Sequence, residues 1–358
     1  MGMEFTSLGV LLDHGFDTVI DVRSPAEYAE DHLPGAINLP VLNDTERAEV
    51  GTIYVQESPF LARKLGAAMV FRNAARHIEG PLSHHDGAWR PLVYCWRGGQ
   101  RSGAFRWMLE QIGWRAAAIE GGYRTYRSLV HSMLYDTALE HHFLLLDGYT
   151  GTAKTETLQV LASRGRQVLD LEDLAAHRGS LLGATETPQP EQKMFESRIA
   201  TALARFDPEE PVLVEAESNK IGARIIPPTL WAAMKTADRV EISADLAART
   251  GYLLHAYDDV LSNGARLRAL LTHLREVRGH AVVDGWFDLI DAGDKRALTR
   301  ALIEEHYDPA YAASRRKRAL RPVATVRVES LDHAGIASAA DMIERLLDQV
   351  PRPLASAM

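Results

Sequence analysis

Pro91-Leu92-Val93-Tyr94-Cys95-Trp96-Arg97-Gly98-Gly99-Gln100-Arg101-Ser102 runs from four mostly apolar residues into a cysteine, a glycine-rich loop and a helix start. PLVY reads as a buried strand, and the SGAFRWMLEQIG that follows reads as a helix stopped by Gly113. A loop between a strand end and a helix start points successive backbone N–H groups inward and forms an anion nest. The helix N-terminus adds positive potential, and Arg97 and Arg101 add full charges. All three effects favour the thiolate, which is the nucleophilic form of Cys95. Gly98 and Gly99 permit φ > 0 and close approach of a ligand. Five residues separate Cys95 from Arg101, a C-x5-R spacing that suits a phosphate-sized tetrahedral anion. Ser102 stands where the helix closes the cradle.

Outward from this loop, strands and helices alternate. Asp17 to Asp21 reads as a strand, followed by a helix with Ser24 as N-cap, Pro25 in its first position and Glu27 in the capping-box place. Residues 44 to 80 read as helical, with a start at Ser58-Pro59, and Ala116 to Ile119 reads as another strand. A second series opens near His142, with strands at FLLLDG, VLDLEDL, PVLVEAES and RVEISA, and mostly helical text from Ala247. The border falls around 128–142. This order argues for an α/β fold with parallel sheets in both halves.

The 358 residues correspond to about two domains. Hydrophobic residues at 46% and charged residues at 25% exclude a long disordered chain. No apolar run approaches the ~18 residues of a membrane span. The N-terminal MGMEFTSLGVLLDHG carries acids and no basic region, so no signal peptide is expected. One cysteine excludes an intrachain disulfide and a multi-cysteine zinc site, and fits a reducing cytoplasm. The pairs His84-His85 and His141-His142 lack a third ligand at helical spacing, so no metal site is expected there. At a formal charge of −8, any nucleic acid must meet a local basic patch.

A second loop follows the strand at 143. Gly148-Tyr149-Thr150-Gly151-Thr152-Ala153-Lys154-Thr155 fits the phosphate-loop template G-x4-G-K-[ST], except that Ala153 replaces the second glycine. Gly148, Thr150 and Gly151 would cradle a diphosphate and Lys154 its terminal charge. Thr155 would ligate Mg²⁺ where a metal is used. Ala153 would stand in a helical conformation. Glu215 and Glu217, at the end of a strand, hold the place of a Walker B acid.

Asp21-Val22-Arg23 with Glu27-Tyr28, and His32-Leu33-Pro34-Gly35-Ala36-Ile37-Asn38, resemble the N-terminal signature of rhodanese domains, and Val93 to Ser102 resembles their active-site loop. A rhodanese domain followed by a P-loop domain resembles the tRNA 2-selenouridine synthases. GTIYVQESPFLARKL at 51–65, GGYRTYR at 121–127, DLEDLAAHRGSLL at 170–182, QPEQKMF at 189–195, EAESNKIG at 215–222 and HYDPAY at 306–311 extend the likeness. It implies a rhodanese-like parallel sheet with helices on both faces over 1–130. Over 141–358 it implies a P-loop NTPase-like α/β domain with a helical C-terminal part.

The resemblance also implies a chemistry. Wobble 2-thiouridine in a tRNA anticodon loop is S-geranylated by geranyl diphosphate, and selenium from selenophosphate then replaces the geranylthio group. Cys95 would be catalytic, with a persulfide or perselenide as the family's sulfur or selenium carrier, and Asp21, Arg23 and Glu27 structural. No tightly bound cofactor is implied, no membrane is involved, and a selenophosphate-forming enzyme is an implied partner. Arg315-Arg316-Lys317-Arg318 behind the aromatic Tyr307–Tyr311 stretch, and Arg124 with Arg127, are candidate tRNA contacts, the former also readable as a solvated helix face. Trp96 would pack in the core or line a pocket. Rival readings are a rhodanese-type sulfurtransferase or a C-x5-R phosphatase fused to a nucleotide-binding module, or a tRNA-binding protein with two inert pockets.

Overall fold

In the computed structural model, which describes residues 2–180, 182–318 and 321–349, the chain divides into two units. The first comprises the chain up to Ala138 together with Pro190–Arg205, the second Leu139–Gln189 and the chain from Phe206 onward.

The first unit is built on five parallel strands: β1 (Gly2–Met3), β2 (Thr18–Asp21), β3 (Ile37–Asn38), β4 (Pro91–Tyr94) and β5 (Ala117–Ile119), in the order β1-β5-β4-β2-β3. β4 is buried along its length, which explains why PLVY has no polar alternation. Helices Pro59–Glu79 and Gln100–Ile112 cover one face through Val70, Ala74, Phe105 and Leu109, which pack on Ile20, Val22 and Val93. Each large apolar side chain buried there contributes roughly 1.5–3 kcal/mol. The helix starts follow the expected caps: Ser58 Oγ accepts the Leu61 N–H at 3.3 Å, and the Ser24 N–H donates to Glu27 at 3.1 Å. Gly113 ends its helix in the left-handed conformation.

Helix Gln192–Leu203, which sequence order places inside the second domain, packs with the first unit instead. Its polar face explains why. Lys193 pairs with Glu30 at 2.6 Å, Ser197 Oγ donates to Asp31 at 2.9 Å, and Arg127 pairs with Glu196. The second unit is therefore made of two segments of the chain.

The second unit carries β6 (Phe143–Asp147), β7 (Gln167–Leu169), β8 (Val212–Glu215), the hairpin β9 (Lys220–Ile221) and β10 (Arg224–Ile225), β11 (Asp238–Ser243) and β12 (Ala324–Arg327). Its main sheet is parallel in the order β12-β11-β6-β8-β7. The chain passes to opposite sides of β6 before and after β8, so a crevice opens at the carboxyl end of β6. Two local readings change. The strand expected through VLDLEDL ends at Leu169, because Asp170 caps helix Leu171–Leu174 by accepting the Asp173 N–H at 2.9 Å. β12 was hidden in helical text: Ala324–Arg327 has four residues and buries only Val326. The helical part packs around Leu261, Leu271, Val283, Leu302 and Trp286.

Candidate active sites

β4 delivers Cys95 into a tight turn, and helix Gln100–Ile112 begins at Gly99 with no side chain capping it. The first-turn N–H groups therefore stay available to an anion. Cys95 is buried, and Ser102 Oγ–H donates to its Sγ at 3.1 Å. That bond stabilises negative charge on sulfur. The loop is locked from outside by Gly121-Gly122-Tyr123-Arg124. The Tyr123 N–H donates to the Cys95 carbonyl at 2.8 Å and the Arg124 N–H to Trp96 at 3.1 Å. The approach is close enough that a Cβ on Gly98 would lie 2.7 Å from the Ile119 carbonyl. Trp96 is half-buried against Tyr123, ring centroids 5.2 Å apart.

Below the loop, Arg23 is fully buried. It bonds to Asp21 at 2.6 Å and to the Asp31 carbonyl at 2.6 Å, and lies 4.0 Å from the Tyr123 ring centre. Asp21 and Arg23 thus hold the frame. Arg101, expected to face an anion beside Arg97, turns instead to Glu27 at 2.8 Å. Burial opposes the Glu27 charge, but the hydrogen bond and charge of Arg101 hold its carboxyl below the ordinary value. Arg97 is exposed. Ser102 and the helix start therefore stand as donors at Cys95, while Arg101 is engaged by Glu27.

In the second unit β6 ends at Asp147, and helix Lys154–Ser163 begins after the loop 148–153. Ala153 has φ 55° and ψ 40°, so the alanine is left-handed and not helical as expected. Lys154 Nζ donates to the Gly148 carbonyl at 3.2 Å. Thr155 Oγ1 donates to Glu215 at 2.6 Å and lies 3.3 Å from Glu172. Glu172, Glu215 and Glu217 bring carboxylate oxygens within 4.8 Å of one another, a set that could hold a metal ion and that adds Glu172 to the two acids expected at the strand end. Hard oxygen donors with a neighbouring threonine hydroxyl fit Mg²⁺, and the buried Glu215 Oε2 has no hydrogen-bond partner. Burial, then repulsion from Glu215 and Glu217, pushes Glu172 up to about 9. Burial and Glu217 push Glu215 up to about 8.

Residues not foreseen brace this loop. Arg249 donates to the Thr150 carbonyl at 2.8 Å and pairs with Asp308 at 2.6 Å. Tyr311 accepts the Gly148 N–H at 3.1 Å and donates to Asp147. The HYDPAY stretch thereby acquires a role. Glu172 was hidden in the DLEDL text. The loop opens on a cavity of about 410 Å³ that Lys154 and Thr155 line on one side and Tyr252, Tyr257, Tyr307 and Tyr311 on another.

The candidate tRNA arginines divide. Arg127 pairs with the buried Glu196, and Arg315 with Glu241. Arg124 and Arg316 are exposed. The Arg318 side chain lies outside the described residues. His85 stacks on Trp89 at 3.9 Å, a packing role. Among the described residues no helix is long and apolar enough to cross a membrane.

Comparison with known proteins agrees with this geometry. Residues 6–129 match the rhodanese-like domain, and residues 141–278 match the AAA domain of tRNA 2-selenouridine synthase. The tRNA 2-selenouridine synthase of Nitrosomonas europaea is 37% identical over 244 residues, which is 67% of this chain and 63% of that protein. That of Cupriavidus pinatubonensis is 30% identical over 339 residues, 85% of this chain and 90% of the relative. That of Hahella chejuensis is 31% identical over 332 residues, covering 85% and 86%. The cysteine loop, the P-loop and these likenesses spanning both units converge: the chain belongs to the tRNA 2-selenouridine synthase family.

Proposed function

We propose that this chain converts the wobble 2-thiouridine of tRNA to 2-selenouridine in the cytoplasm, by S-geranylation at the P-loop and selenium transfer at Cys95. The observation that carries the reading is the P-loop cavity. It sets a phosphate cradle at Lys154 against a wall of tyrosines, which suits a diphosphate bearing an apolar chain. In the first step the C1–O bond of geranyl diphosphate breaks, the S–C1 bond forms, diphosphate leaves with the electron pair, and the N3 proton is lost. Lys154, and Mg²⁺ held by Thr155, Glu215, Glu217 and Glu172, would neutralise the leaving group. Alkylated sulfur is the better leaving group. In the second step the Cys95 thiolate adds to C2 and expels geranylthiolate. The selenium of selenophosphate then displaces Cys95, and water cleaves the Se–P bond to release phosphate. No electrons are gained or lost overall. A perselenide on Cys95 would require removal of two electrons, and neither cosubstrate is an oxidant. A selenophosphate-forming enzyme would supply the donor.

The test uses mass spectrometry of wobble nucleosides. Lys154→Ala should lose geranylation but still selenate pre-geranylated tRNA. Cys95→Ala should accumulate the geranylated nucleoside. If each variant loses both steps equally, the division of labour is wrong.

A further inference from the structure

We infer that the outer face of helix Pro59–Glu79, with Trp107 beside it, is a docking surface for a single-stranded stretch of RNA away from the reacting base. This rests on the reading that the chain modifies tRNA. The helix buries Val70 and Ala74 against the sheet, which accounts for one apolar stripe. A second stripe faces outward. Phe60, Lys64, Ala67 and Phe71 recur at i, i+4, i+7 and i+11, so they share one helix face, and all four are exposed. Phe60 is 71% exposed, Phe71 42% and Trp107 52%. The Trp107 ring meets Phe71 edge-on, with centroids 6.3 Å apart. Trp107 lies about 10 Å along helix Gln100–Ile112, which starts at the Cys95 loop. A row of large aromatic side chains left in water marks a surface kept for a partner.

Charge selects the partner. Helix Pro59–Glu79 carries four lysine and arginine residues against one glutamate, in a chain whose formal charge is −8. Lys64 stands inside the aromatic row, helical spacing sets Arg63 and Arg72 on its two borders, and all three are exposed. Arg63 Nε donates to the Pro59 carbonyl of its own helix at 3.1 Å, and neither Lys64 nor Arg72 has a carboxylate partner among the described residues. A protein partner would have to bury Lys64 between two phenylalanines, and lysine is depleted from protein–protein interfaces. RNA meets both features: its phosphates pair with the cations and release counterions, and its unstacked bases lie on the rings. A duplex hides its base faces and engages the cations alone, so the aromatic row favours unpaired nucleotides.

The experiment titrates the full chain with labelled thiolated tRNA and with a fully base-paired RNA of equal length, at several salt concentrations. Phe60→Ala should weaken tRNA binding by roughly 5- to 150-fold, keep its salt slope and leave duplex binding as in wild type. Lys64→Gln should weaken binding of both RNAs and reduce the slope of log K against log salt for tRNA by about 0.7. In turnover, both variants should raise KM for tRNA and keep kcat, a split that damage to the Cys95 loop would not give. Melting curves identify a variant that fails to fold, and Phe71→Ala serves as the second aromatic variant. If wild type modifies tRNA and no folded aromatic variant weakens tRNA binding, the surface is wrong and the proposed function stands. A wild-type dimer in sedimentation that Phe60→Ala dissociates, with tRNA affinity intact, would assign the face to a second copy and also overturn the inference. If wild type neither binds nor modifies thiolated tRNA, the proposed function falls and the surface with it.

Discussion

Gly122 and Gly113 both take positive φ, 61° and 107°, yet a methyl group would meet different surroundings at each. On Gly122 a Cβ would lie 2.2 Å from the Cys95 carbonyl and 2.5 Å from the Gly98 nitrogen; on Gly113 nothing lies within 4 Å. Gly113→Ala should therefore cost only the left-handed backbone penalty, about 1–2 kcal/mol. Gly122→Ala adds a clash with rigid backbone and should cost about 2–4 kcal/mol in denaturant unfolding, with loss of Cys95 reactivity. Equal effects would mean that the 95–99 turn is not held by the 121–124 turn. The carboxylate cluster makes a pH prediction. Glu172 and Glu215 are raised to about 9 and about 8, so between about pH 4.5 and those values the folded unit binds more protons than the unfolded chain. Its stability then falls as pH rises through that window. Glu215→Gln should flatten the slope by up to about 1.4 kcal/mol per pH unit, read from melts across the pH range. Added Mg²⁺ should recover stability at the alkaline end in wild type only. A slope that the substitution does not change would show the cluster to be ionised throughout.

Single elements were legible where the signal is local. Ser58-Pro59 and Gly113 announce helix ends along the chain, and Gly148 with Lys154-Thr155 announces a strand–loop–helix turn. What sequence spacing does not carry is where an element docks. Helix Gln192–Leu203 has an ordinary amphipathic pattern, and its attachment depends on Glu30, Asp31 and Arg127, each over 60 residues away. Arg101 likewise meets Glu27 across 74 residues, and Arg249 meets Thr150 across 99, so neither pairing is visible in a motif. Among the polar contacts of the 192–203 helix, the ion pair of Arg127 with Glu196 involves a buried charge. The Glu196 side chain is 3% exposed, so removing its partner leaves a buried charge. Tyr135 donates to it at 2.7 Å but cannot neutralise it. Arg127→Ala should cost about 3–5 kcal/mol and open the helix to limited proteolysis and hydrogen exchange. Arg127→Met with Glu196→Leu should recover most of the loss, because an apolar pair replaces the desolvated charges. Protection of the helix equal to wild type in Arg127→Ala would mean that packing alone holds it.

At the scale of the whole chain, a formal charge of −8 opposes any polyanion, and tRNA binding has to come from local cations within a Debye length of about 8 Å. The structure reduces the arginines available for this. Arg127 and Arg315 are tied to Glu196 and Glu241, whereas Arg124 and Arg316 are exposed. A sequence census counts all four alike, because only the fold reveals which charge is already neutralised. The consequence is a difference in kind between variants. Arg124→Glu and Arg316→Glu should leave the unfolding free energy within about 0.5 kcal/mol of wild type and weaken tRNA binding. Each should also reduce the slope of log K against log salt by about 0.7–0.9, the signature of one lost phosphate contact. Arg315→Glu should instead lower the melting temperature, since it sets a carboxylate against Glu241. Its salt slope should change little once the remaining folded fraction is accounted for. Titrations of labelled thiolated tRNA at several salt concentrations decide the matter: an unaltered slope for both Arg124→Glu and Arg316→Glu would place the phosphate contacts on other residues.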